Sequence, residues 1–230
     1  MSERENILGR IREALRVPAP FPGHHSPGEP SHTPTPRAAA TGARNWLPAV
    51  GPAFEDHVRA FQVCAADLKA DFQLLDSPAS LPPAVAVLRQ AEGWKKAAVH
   101  SGSLSNIAAE ALGLPLVRVD SGYDVNDLES CDVGVTECDA LIAQTGSVLI
   151  TSRSAGGRAL SVLPPHHLVV ARRDQLLPDL PAAFELLSRK YAGNFPSFMG
   201  FVTGPSRTGD IERILVLGAH GPKKLTIICC

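Results

Sequence analysis

The sequence predicts an α/β fold with a largely parallel sheet flanked by helices, an antiparallel hairpin insertion and an N-terminal helical arm. Three observations carry this reading. Short apolar runs alternate with amphipathic stretches of helical period. Two of these runs open directly into loops rich in glycine and hydroxyls, at residues 101–106 and 203–209. A tight corner, Gln144-Thr-Gly146, joins two further apolar runs as a hairpin, with Gly146 supplying unusual dihedrals.

The chain divides at about residue 45. Residues 1–45 form an arm. Its first part, residues 3–16, reads as a helix because Ile7, Leu8, Ile11 and Leu15 fall on one face. Residues 17–36 hold seven prolines, so that stretch is a linker rather than a domain. The linker histidines His24, His25 and His32 are read as solvated.

Residues 46–230 form the α/β domain. Within residues 51–71, Phe54, Val58, Phe61, Cys64, Ala65 and Leu68 share a helical face. A strand is expected at 72–75, and a helix over 84–92, opened by Pro82-Pro83 and stopped by Gly93. A strand at 96–100 enters the Ser101-Gly-Ser loop and a helix at 107–112. Further strands are expected at 116–119, 140–143, 147–151, 163–170 and 225–229, a helical turn at 124–128, and a helix over 175–191 interrupted by Pro178 and Pro181. Phe198, Met199, Phe201 and Val202 read as a buried strand. Ser206 or Thr208 then caps a helix, with Asp210 and Glu212 in its first turn.

Of the 230 residues, 44% are apolar and 20% charged, enough for a good-sized core. The net charge of −1 shows no basic excess, so nucleic acid is not expected as a partner. No run reaches the length of a membrane span, and the first residues lack the apolar core of a signal peptide, which reads as cytoplasmic. Cys64, Cys131, Cys138, Cys229 and Cys230 contain no CxxC pair, so neither a disulfide framework nor a metal site is expected from this chain.

The chemistry centres on the two loops. Each points backbone N–H groups and hydroxyls at a small volume, which suits a phosphate or carboxylate. Candidate ligand contacts are Gly102 and Ser103 from the first loop, and Thr203, Gly204, Ser206, Arg207, Thr208 and Asp210 from the second. The hairpin corner adds Thr145 and Gly146, the Gly-rich segment after it adds Arg158, and the 218–222 turn adds His220. The alternative is a pair of capped turns, with Arg207 satisfied by Asp210. Glu137 and Asp139 flank the corner and are either a nucleophile or base, or members of structural ion pairs. His166 and His167 precede an apolar strand, one facing the core boundary and one the solvent. No catalytic residue is assigned.

The stretch Thr203-Gly-Pro-Ser-Arg-Thr-Gly-Asp-Ile-Glu212, followed by Leu217-Gly-Ala-His-Gly-Pro222, resembles the carboxyl-terminal signature of the lactate-utilisation protein C family, the LUD domain. Gly134-Val-Thr through Gln144-Thr-Gly-Ser147, then Leu163-Pro-Pro-His-His-Leu-Val-Val170, resembles it in the right order. The resemblance implies a Rossmann-like sheet of the NagB/RpiA/CoA-transferase group. It also implies a place in a three-protein system oxidising L-lactate to pyruvate. The chain would be an accessory or ligand-binding subunit without a cofactor of its own, and iron–sulfur clusters would belong to the partner proteins. The ligand would be a small anionic metabolite. The resemblance places Glu where this chain has Gln144, which cannot act as a carboxylate nucleophile. The alternative is a free-standing enzyme acting on a phosphorylated, CoA-linked or folate-type metabolite.

Overall fold

Runs of valine, isoleucine and leucine buried on both faces build the central sheet, as a parallel sheet covered on two sides requires. The computed structural model describes residues 3–14, 16, 47–211, 214–217 and 220–230. The chain divides into two units, Met1–Asn45 and Trp46–Cys230. In the first, helix α1 (Glu3–Ala14) is described. The proline-rich stretch with His24, His25 and His32 lies outside the described residues, as do Glu212, Gly218 and Ala219.

The second unit begins with helix α2 (Phe54–Asp67), strand β1 (Asp71–Leu74) and helix α3 (Leu81–Glu92). Strand β2 (Ala97–Val99), helix α4 (Ser103–Leu112) and strand β3 (Leu116–Arg118) follow. Next come helix α5 (Val125–Glu129), capped by the Asp124 side chain, and strand β4 (Val133–Thr136). Strands β5 (Ala140–Ile142) and β6 (Ser147–Thr151) form the expected antiparallel hairpin. Strand β7 (His166–Ala171), short strand β8 (Leu176–Leu177), helix α6 (Leu180–Lys190) and strand β9 (Met199–Val202) come next. Strands β10 (Arg207–Ile211), β11 (Ile214–Leu217) and β12 (Lys224–Cys229) complete the unit. No described helix is long and apolar enough to cross a membrane.

Six strands form a parallel sheet in the order β1-β12-β7-β4-β2-β3. A second sheet has the order β8-β5-β6-β9, and β10-β11 is a separate antiparallel ribbon with an irregularity between Thr208 and Ile211. Strand alternation then sorts the layers. Leu168 and Val170 of β7 pack with Val85 of α3 and Leu104, Ala108 and Leu112 of α4. Val169 and Ala171, one residue out of step, pack with Phe61 and Ala65 of α2 and with Leu141, Val148 and Ile150 of the second sheet. The outer face of the second sheet is covered by Ala183 and Leu187 of α6 and by Tyr191 directly after it. The result is a helix, sheet, sheet, helix stack.

Several expectations need correction. No helix follows the 203–209 loop: residues 207–211 enter the β10–β11 ribbon. Gly209 weakens a helix, and Thr208, Ile211, Ile214 and Val216 favour extended backbone, so the carboxylates at 210 and 212 did not mark a helix start. Among the described residues strand β9 is an edge strand paired only with β6, and it is half-exposed, with Met199 and Phe201 facing outward. The helix expected from residue 175 starts at Leu180. Asp179 caps it by accepting the Ala182 N–H, Pro181 sits in its first turn, and Leu176-Leu177 is instead a strand beside β5. His166 and His167 both lie inside β7 and both are buried. Their Nε2 atoms pair with Thr226 of β12 at 2.9 Å and Thr136 of β4 at 2.8 Å.

Candidate functional site

The chain order around β2 and β4 gives the sheet a topological switch point, the position that open α/β sheets favour for a ligand. From β2 the chain runs outward to edge strand β3, whereas from β4 it runs the other way to β7. The carboxyl ends of β2 and β4 therefore face a topological switch point, where loops diverge and leave space. Three polar residues are delivered there: His100 directly after β2, Glu137 directly after β4, and Asp120 after Val119, just beyond β3.

Glu137 reaches across to the start of α4. Its Oε1 accepts the N–H groups of Leu104 at 2.7 Å and Ser105 at 3.1 Å, and lies 3.3 Å from the Ser105 hydroxyl. These N–H groups belong to the first turn of a helix, which has no internal acceptor for them. Gly102 makes the approach possible. A Cβ there would stand 2.3 Å from Glu137 Oε1 and 2.7 Å from Ser105 Oγ. Its φ of −162° is ordinary extended backbone, so closeness rather than strain requires the glycine. Asp120 treats the loop similarly. It accepts the Ser101 N–H at 2.9 and 3.0 Å and the Ser101 hydroxyl at 3.0 Å. The Ser101 N–H, with the hydroxyl, holds the Asp120 carboxyl below its usual range.

His100 ties the two loops. Its Nε2 accepts the Glu137 N–H at 3.1 Å, and its Nδ1 lies 3.2 Å from the Ser101 carbonyl, so the tautomer that serves both contacts carries its proton on Nδ1. Burial pushes the His100 pKa down against the pull of Glu137 and Asp120. The loop after β6 closes over it. Gly156, at φ +63°, lies so near that a Cβ would stand 2.3 Å from His100 Cβ. Arg158 on that loop lies over the Phe198 ring, 5.9 Å from its centroid.

The structure separates the residues that the sequence reading grouped. Gly102, Ser103 and Arg158 belong to the switch-point crevice or the loop above it. Thr145 and Gly146 stand at the opposite end of β6 from Gly156, a five-residue strand away, or roughly 15 Å. Gly146, at φ +63°, packs on α2, where a Cβ would stand 2.8 Å from Cys64 Cβ. Thr203 joins this second group through its hydroxyl, 2.8 Å from Ser147 Oγ, and Gly204 packs on Leu68. The Arg207 guanidinium donates to the Leu68 carbonyl at the C-terminus of α2, where a cation meets unpaired carbonyls and the negative end of the helix dipole. The Ser206 N–H donates to the Pro222 carbonyl at 2.8 Å, and His220 is exposed near the ribbon's return. The backbones of Thr208 and Asp210 lie in β10.

The flanking carboxylates also resolve. Asp139 is a structural anchor, accepting from Lys190 Nζ and Tyr191 Oη, each at 2.6 Å. Burial alone would raise its pKa, but those bonds and the nearby hydroxyls hold it below the usual range. Gln144 donates its amide to the Pro48 carbonyl at 2.9 Å. A cavity of about 590 Å³ lies at the turn from α2 into β1, lined by Lys69, Asp71 and Phe72 among others, and includes none of the switch-point residues. Among the described residues no group of three or more His, Cys, Asp or Glu is placed to hold a metal ion. His100 and Asp120 were not singled out from the sequence, and Glu137 was weighed as a nucleophile, base or ion-pair member rather than as a helix cap. Their one sequence signal is position, as polar residues that close apolar strands.

Removing the Glu137 carboxylate should uncap α4. Glu137→Ala is expected to cost about 1–2 kcal/mol, and Gly102→Ala a similar amount by pushing the carboxylate out, whereas Glu137→Gln should keep most of the cap. Thermal denaturation of the three variants measures this. Equal melting temperatures for Glu137→Ala and the parent chain would remove the capping role.

The family model of the LUD domain matches residues 87–229. The chain is 34% identical to lactate utilization protein C of Shouchella clausii over 110 residues, covering 47% of this chain and 48% of that protein. It is 35% identical to lactate utilization protein C of Halalkalibacterium halodurans over 100 residues, 43% of this chain and 44% of that protein. The chain spans about half the length of the curated relatives it matches. A crystal structure of a DUF162 family protein from Deinococcus radiodurans superposes with a TM-score of 0.62 at 22% identity, covering 78% of this chain and 99% of that one. That likeness concerns the fold.

Proposed function

We propose, from the premise that this chain belongs to the LUD domain family, that it serves lactate utilisation as an accessory or ligand-binding subunit. The observation that carries the reading is that relatives at 31–35% identity are named lactate utilization protein C. Oxidation of L-lactate to pyruvate removes two electrons and two protons. In this reading the electrons pass to iron–sulfur clusters on partner proteins, and this chain holds the small hydroxy acid or its product at the switch-point crevice. Arg158, on the loop that covers His100, lies over the Phe198 ring in the ligand-free chain and in this reading turns from it to supply a cation for the carboxylate. A free-standing enzyme that binds a phosphorylated metabolite at the 203–209 loop has less support, because the Leu68 carbonyl already engages the Arg207 guanidinium that such a ligand would need.

The test is thermal denaturation of the purified chain with L-lactate and with pyruvate. A ligand at about 100 times its dissociation constant adds roughly 2.7 kcal/mol of stability. Arg158→Ala should weaken that ligand about 10- to 150-fold, the loss of one charge-assisted contact worth roughly 1.5–3 kcal/mol. Lactate turnover by the chain alone would defeat the accessory role. Binding unaffected by Arg158→Ala would defeat the crevice assignment.

A further inference from the structure

We propose that His100 is a proton-operated clasp. While neutral it locks the loops after β2 and β4 together; when protonated it releases Glu137 from the start of α4 and opens the crevice.

The geometry leaves the ring no spare capacity. Nε2 accepts the Glu137 N–H, and Nδ1 faces the Ser101 carbonyl. A proton taken from solvent onto Nε2 turns that atom into a donor, so two N–H groups oppose each other across 3.1 Å. Gly156 packs against the base of the side chain, at Cβ and Cγ, and the Nδ1 contact to the Ser101 carbonyl holds the ring's other edge. The strain therefore falls on the Glu137 backbone, whose side chain is the cap on Leu104 and Ser105. The groups around the ring favour this response. Glu137 from the end of β4 and Asp120 from the end of β3 are anionic partners for an imidazolium. Ser105 of α4 faces it with a hydroxyl already given to the His100 carbonyl. The covering loop presents Gly156 and keeps its cations elsewhere, Arg153 on Asn194 and Tyr191 and Arg158 on Phe198. Withdrawal of Glu137 frees two backbone N–H groups at the crevice. Protonation and the admission of a carboxylate ligand are thus linked.

The link to a ligand rests on the crevice reading above, but the clasp does not, and the experiment reads the ligand-free chain. Amide hydrogen exchange is followed by mass spectrometry between pH 7.5 and 4.5, with each rate corrected for intrinsic exchange. Between the ordinary imidazole pKa of about 6.5 and the lowered pKa of the clasped ring, protection at residues 101–106 and 136–139 should fall about tenfold per pH unit, one proton per opening, while β7 and β12 stay protected. His100→Gln, which offers an oxygen to the Glu137 N–H but cannot titrate, should keep the loops protected throughout the range. His100→Ala should leave them open already at pH 7.5. Loops that stay protected at pH 4.5, loops that open only together with β7 and β12, or a His100→Gln profile matching the parent chain would each overturn the clasp. Failure of lactate or pyruvate to bind would leave it standing.

Discussion

Between pH 6.5 and about 4 the fold should lose several kcal/mol of stability. His166 and His167 are buried in β7, and burial pushes their pKa values down to about 4 and about 3. For His166 the pull of Glu92 opposes burial, and the Lys224 charge assists it. For His167 the neighbouring His166 assists. Both rings are neutral in the fold at pH 6.5, whereas in the unfolded chain they begin to take up protons near that value. Stability is therefore fully present above pH 6.5 and falls as the pH drops toward the folded values. With about 1.4 kcal/mol per pH unit, and with solvent screening at Glu92 and Lys224 discounted, His166 contributes about 2 kcal/mol and His167 more. Asp120 and Asp139, both held below their usual range, act in the same direction at the acid end. Against a total of about 5–15 kcal/mol for a domain, this is a large share. Urea denaturation at half-unit pH steps measures the profile. His166→Gln with His167→Gln should flatten it. A free energy constant from pH 6.5 to 4.5 in the parent chain would show that the rings titrate normally.

Gly134→Ala should be as damaging without any change of pH. Gly134 sits in the middle of β4, opposite His167. A Cβ there would stand 2.3 Å from the Leu160 carbonyl oxygen and 3.0 Å from Pro164 Cγ. The first obstacle is backbone and has no rotamer to escape into, so either β4 or the turn at Ala159–Ser161 must move. Overpacking of this kind costs about 3 kcal/mol or more, a fall in melting temperature of roughly 6–12 °C for a domain of this size. Gly93→Ala is the control. Nothing lies within 4 Å of its Cβ position, and its φ of +69° leaves only backbone strain, about 1 kcal/mol. Melting temperatures of the two variants that differ by less than a degree would remove the steric argument.

The alternation of strands and helices was legible because buried parallel strands and amphipathic helices carry strong local patterns, as at 97–99, 103–112 and 166–171. Less legible was whatever depends on tertiary pairing. The carboxylate, hydroxyls and glycines of 203–212 favour a helix start as much as a turn, and the pairing of Arg207 with Leu217 across the ribbon decided the matter. Leu176-Leu177 is too short to announce itself without β5 beside it. At the candidate site the sequence revealed donors but not their acceptors. Glu137 lies 33 residues from Leu104, and Arg207 lies 139 residues from Leu68, so no local pattern exposes either contact. The helix end that receives the Arg207 guanidinium is formed far away in the sequence, at Leu68.

Strand β12 lies between β1 and β7, with Thr226 opposite Asp71. The two strands are roughly 150 residues apart along the chain. During synthesis β1 emerges early and has no neighbour in its own sheet until residue 229 follows, so its backbone groups wait with an unpaired edge. A contact of such long range must be bought with a large loop-closure entropy, and folds dominated by such contacts close slowly. The nascent chain up to residue 223 thus holds an incomplete sheet, with β7 exposed where β12 will insert. That is the interval in which it depends most on protection from aggregation.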